Sequence, residues 1–92
     1  MSLSPVAYPA HETIRGVRFA MLDGTELVTI LVTRGALDEI EAPATRAYLD
    51  RFGMHRHTFE QIASSKHQRG QVEISGAVIV HAGDLGLIGN HR

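Results

Sequence analysis

No cysteine occurs in the 92 residues, and there is no tryptophan. The first absence excludes a disulfide framework, thiolate zinc sites and thiol nucleophiles, and it fits a reducing compartment, so a cytoplasmic setting is expected. The second, with aromatics at 5% of the chain, leaves little with which to stack nucleic-acid bases. No apolar run approaches the roughly 20 residues of a membrane span, and MSLSPVAYPAHET has neither a basic nor an apolar signal region. Neither export nor a membrane partner is expected. Phosphate and dinucleotide glycine loops, a G-x-S-x-G elbow and an H-E-x-x-H pair are also missing. No cofactor is therefore expected, and the chain is read as not an enzyme.

What is present is an apolar content of 43% with 21% charge, the composition of one folded domain over residues 1–92. A core of this size is small enough to gain from a partner subunit. The net charge of −1 hides a segregation: residues 1–43 hold three Arg against six acids, whereas residues 44–70 hold five cations against two acids. That basic segment also carries His55, His57 and His67, whose protonation toward about pH 6 would add to it. Two explanations are open, attraction between opposite surfaces within the fold or across a dimer, and a face for nucleic acid.

The first 14 residues carry Pro5 and Pro9 and no sustained period, which predicts an irregular segment or a short edge strand. GVRFAML and TELVTILVT then flank Asp23-Gly24, a pair suited to a tight hairpin turn. With that turn, Val17 faces Ile30 and Phe19 faces Val28, and Val17, Phe19, Met21, Val28, Ile30 and Val32 share one apolar face. The opposite face mixes Arg18, Ala20, Leu22, Leu27, Thr29 and Leu31, which predicts partial cover, with a second subunit as a candidate. Thr33 is placed to cap a short helix through Ile40. A longer helix is expected from a first-turn Pro43 to a stop at Gly70, with Gly53 as a weak point. QVEI and AVIV around Ser75-Gly76 suggest a second hairpin, pairing Ile74 with Ala77 and Val72 with Ile79, before a flexible tail over residues 86–92. The class is α+β, a mainly antiparallel sheet of two hairpins that flank the helices in sequence, with the long helix packed on the sheet.

In the long helix, at about 100° per residue, Leu49, Phe52, Phe59 and Ala63 fall within about 80° of one another, with Tyr48 and Ile62 at the edge. Arg56 falls inside this apolar stripe. Its stem can pack on the phenylalanines while the guanidinium reaches a carboxylate such as Asp84 or Glu73, or it can bind an anion at a groove. His55 and His57, two residues apart, point to different sides of a helix, and His67 lies about 18 Å from His55 along the axis, so no metal site is expected from them. Ser64 and Ser65 read as helix surface. Arg51, Lys66 and Arg69 cluster on one side of the helix, whereas Arg46 and Arg56 point elsewhere. His55, Arg56, Arg51, Lys66 and Arg69 are therefore the candidate ligand- or anion-binding residues.

Taken in order, Val17, Arg18 and Phe19, the turn Asp23-Gly24, Ala36-Leu37, the run Phe52, His55, Arg56, Phe59, Ile62 and Ala63, and the pair Asp84-Leu85 resemble a known pattern. It is that of the small bacterial family called domain of unknown function 1488, and the resemblance covers about residues 15–86. It implies a compact α+β fold in a bacterial cytosolic protein, and it implies no activity and no catalytic residues. The resulting expectation is a non-catalytic interaction or ligand-binding module that self-associates, as a dimer, or holds an unidentified protein partner. The alternative is binding of nucleic acid or an anionic ligand through the basic helix.

Overall fold

The structure, a computed structural model, describes residues 3–41 and 46–87, and it is organised around one long hairpin. Two short strands come first, β1 (Ser4–Pro5) and β2 (His11–Thr13). Strands β3 (Gly16–Asp23) and β4 (Glu26–Thr33) then form the hairpin, with alternate burial along both. Its turn sits one residue later than the Asp23-Gly24 signal suggests. Asp23 pairs with Glu26, Val17 with Val32 and Phe19 with Ile30, so the register is offset by two from the expected one. Gly24 at φ 66° is the sole left-handed residue of the turn, which suits glycine as the first of two turn residues, Gly24-Thr25. Because side chains alternate with period two, an offset of two leaves every residue on its expected face. All six predicted core residues of the hairpin are 8% exposed or less.

Thr33 caps α1 (Arg34–Ile40) as expected, its Oγ1 accepting from the Ala36 N–H at 3.2 Å. The expected single rod that follows is two helices, α2 (Tyr48–Met54) and α3 (Arg56–Gln68). His55 stands between them at φ −121° and ψ 20°, its N–H bonded to the Phe52 carbonyl. The break comes two residues after Gly53, the costliest residue in the helical stretch. It lets α2 lie over β3 and against α1 while α3 lies over β5 (Val78–Val80). The same break leaves Leu49, expected in the stripe, 40% exposed, while Phe52, Phe59, Ile62 and Ala63 are sealed. Phe52 is tilted 45° against Phe19, with ring centres 4.8 Å apart, and stacks on Phe59 with ring centres 5.9 Å apart. At the far end Gly70, at φ 75°, closes α3: its N–H bonds the His67 carbonyl and that of Gln71 bonds Lys66. Pro43 and the tail beyond residue 87 lie outside the described residues.

The α+β class and the mostly antiparallel sheet stand, but the second hairpin does not form. Ser75-Gly76 does turn the chain, with the Glu73 N–H on the Ala77 carbonyl at 2.8 Å, yet residues 71–74 are not a strand and Ile74 is fully exposed. Instead β5 joins β4 in parallel, Leu31 beside Ile79 and Val32 beside Val80. Val78 and Val80 therefore enter the core, and Ile79, expected to pair with Val72, instead pairs with Leu31 and faces the other way. A parallel neighbour requires a long crossover, and the three helices supply it. The sheet order is β1-β3-β4-β5, with β2 on the β1 side of β3. A 3-10 turn over Ala82–Leu87 ends the described chain.

Candidate functional site

Three of the predicted cations lie against internal acceptors. Arg51 is 4% exposed; its Nη1 donates to Asp38 on α1 at 2.9 Å, its Nη2 donates to the Arg46 carbonyl, and its guanidinium lies over the Tyr48 ring. Its Nε has no hydrogen-bond partner among the described residues. Arg56 follows the first of the two readings in outline, with Glu60 one turn on in place of Asp84 or Glu73. Its Nε donates to Glu60 at 3.1 Å, and its stem places the guanidinium 5.5 and 5.6 Å from the Phe19 and Phe52 ring centres. Its Nη2 donates to the carbonyls of Val6 and Tyr8, which pins the segment between β1 and β2.

Lys66 closes the outer edge of the sheet. Its Nζ donates to the Ile79 carbonyl at 2.8 Å and to Asp84 at 2.7 Å, and the same Asp84 oxygen accepts from the His81 N–H at 2.8 Å. With the Ala77 carbonyl, one residue before β5, held by Glu73, two carbonyls along this edge are occupied, which blunts its pairing with another strand. Burial raises the Asp84 pKa, but the hydrogen bonds and charges of Lys66 and His81 outweigh it and hold the carboxyl below its ordinary value.

His55 Nε2 lies 3.2 Å from Glu41, which also accepts from Arg46 at 2.8 Å. Arg46 first, and His55 after it, hold the Glu41 carboxyl below its ordinary value against some desolvation. His57 is exposed, with Nδ1 4.0 Å from Glu60, and His67 faces Asp23 at 3.7 Å. Ser64, read as surface, accepts from the Leu3 N–H. Arg69 is exposed. The five candidates thus go to separate places, Arg51 to α1, Arg56 to the N-terminal segment, His55 to Glu41, Lys66 to β5 and Arg69 to the exposed end of α3. Among the described residues no three His, Cys, Asp or Glu side chains converge to hold a metal ion.

A different surface is built on the open side of the sheet. The registers set His11, Arg18, Leu31 and Ile79 in one row across β2, β3, β4 and β5. Leu31 and Ile79 line a groove of about 390 Å³, with Ile14, Arg15 and Arg18 at one rim and Glu73, Ser75 and Ala77 at the other. Ile14 is 82% and Leu27 52% exposed. Arg15, Arg18 and Glu73 are exposed, and their charged groups have no partner among the described residues. Arg18, Leu27 and Leu31 were legible from the hairpin alternation. Ile14, Arg15, Glu73 and Ile79 were not, because only the parallel placement of β5 brings them to the same groove.

No helix among the described residues is long and apolar enough to cross a membrane. No curated protein and no solved structure matches the chain. The model of one family, described as protein of unknown function (DUF1488), matches residues 9–80. That span holds β2 to β5, all three helices and every residue of the resemblance from Val17 to Ala63, while Asp84 and Leu85 fall beyond it. With most of its length inside the match, the chain belongs to the DUF1488 family.

Proposed function

We propose that this protein is a non-catalytic interaction module that works as a homodimer, with the open face of its sheet as the contact surface. The observation that carries the reading is one-sided cover: α1, α2 and α3 pack on one face, while the other presents Leu27 and Ile14 and the half-buried Ile79 in its groove. A contiguous apolar surface rimmed by polar groups suits protein contact. A second copy is the favoured occupant because the two rims carry opposite charge, Arg15 and Arg18 against Glu73, so the surface complements itself. Strands β3 and β4 are eight residues long, about 26 Å, whereas β2 and β5 have three residues and β1 two. At the usual rise and strand spacing the strands offer roughly 380 Å² per copy, about 760 Å² in all, below the size of stable specific interfaces, so a weak, reversible dimer is expected.

Binding of nucleic acid or an anion through the helical cations has less support, since Arg51, Arg56 and Lys66 already donate to internal acceptors. The test is sedimentation equilibrium from micromolar to millimolar concentration on the native chain and on Leu27→Glu, a change at an exposed position. The native chain is expected to pass from monomer to dimer and Leu27→Glu to stay monomeric. A native chain that remains monomeric at millimolar concentration overturns the proposal.

A further inference from the structure

We propose that the two copies pair about a twofold axis running along β4, which sets Arg18 of each copy against the partner's Glu73. The inference rests on the dimer reading above and adds its geometry. When two identical faces meet, the symmetry axis lies in the plane between them, and a sheet offers two natural directions for it, along the strands or across them. An axis across the strands leaves each lateral rim opposite its own copy, so arginine meets arginine and Glu73 meets Glu73. An axis along the strands exchanges the rims. Like charges opposed in a contact are unfavourable and opposite charges steer and register it, so the charges select the second direction.

The position of the axis follows from the apolar side chains. In the row His11, Arg18, Leu31, Ile79, the apolar half belongs to β4 and β5. An axis on β4 sets the exposed Leu27 against its own copy and brings Arg18 over β5. Glu73 is tied there by its N–H on the Ala77 carbonyl, one row of two residues from Ile79. That row is about 7 Å along the strand, within the reach of an extended arginine. Sheets stacked with strands running the same way also satisfy the aligned packing that twisted sheets favour.

The experiment is a charge exchange read as the dimer dissociation constant at low and physiological salt, with Arg18→Glu, Glu73→Arg and the double variant. All three change exposed side chains, so the fold is retained. Each single substitution occurs twice in a dimer and is expected to weaken it about tenfold, while the double variant returns to within about threefold of the native chain. Two results overturn the axis. In one, the double variant is weaker than either single. In the other, native chain mixed with Arg18→Glu forms mixed dimers in preference to both parents, as arginine opposed to arginine would demand. If the three charge variants dimerise like the native chain while Leu27→Glu does not, the pairing is overturned and the shared face stands. If Leu27→Glu dimerises unchanged, the face itself is overturned.

Discussion

The two faces of the β3–β4 hairpin are made of alternate residues from the same two strands, yet one is sealed and the other open. On the inner face Val17, Phe19, Met21, Val28, Ile30 and Val32 meet the helices and the rings of Phe52 and Phe59. On the outer face Leu27 has an apolar side chain of the same kind and is 52% exposed, whereas Leu31 on the same strand is only 9% exposed. Hydrophobicity alone does not decide between the faces. Topology does: one crossover carries the chain from β4 to β5, all three helices belong to it, and a single crossover covers a single face. Among the described residues the outer face is thus left without a helical layer.

The comparison is broken most severely from the inside. Phe59 is fully buried and stacks on Phe52, so Phe59→Ala removes a ring that no neighbour can replace. A loss of about 3–5 kcal/mol is expected in denaturant unfolding, a large share of the stability of a domain this small. A loss below about 1 kcal/mol would mean that the helical layer is not packed on the sheet as described.

The sealed face was the legible one. Alternation in GVRFAML and ELVTILVT identifies the six inner residues whatever the register, which is why a turn displaced by one residue changed no face assignment. The Thr33 cap and the Gly70 stop were equally local signals. Placement of β5 was not legible, since 44 residues separate its start from the end of β4 and no local pattern encodes a parallel neighbour. The turn at Ser75-Gly76 is real, and reading a turn as a hairpin paired Ile79 with Val72 instead of Leu31. For the same reason the helical cations looked available for a ligand: their acceptors, Asp38, Glu60, Asp84 and the carbonyls of Val6, Tyr8 and Ile79, include several that only the tertiary fold brings near.

A smaller effect is expected where the sealed layer meets the edge of the sheet. Lys66→Met keeps the aliphatic stem but leaves the Ile79 carbonyl and Asp84 without their donor, for an expected loss of about 1–3 kcal/mol. The Asp84 contribution has a pH signature. Because its folded pKa lies below the ordinary 3.8, the stabilisation is complete above that value and declines as pH falls through it toward the lower folded pKa. Asp84→Asn should therefore flatten the acid limb of the stability curve below about pH 4 while leaving its slope at neutral pH unchanged. Identical acid limbs in the two proteins would show that Lys66 does not engage Asp84 in solution.

The smallest effect belongs to the open face and sharpens the contrast. Leu27 is half exposed, so in a monomer Leu27→Ser removes little buried area and should change stability by no more than about 0.5 kcal/mol. A dimer alters this by mass action, because only folded chains associate and association stabilises them in proportion to the logarithm of concentration. The native melting temperature should thus rise with protein concentration while that of Leu27→Ser stays level, so that the two curves coincide in dilute solution and separate as it is concentrated. A constant gap between them would make Leu27 an ordinary strand residue and leave the open face without a second copy.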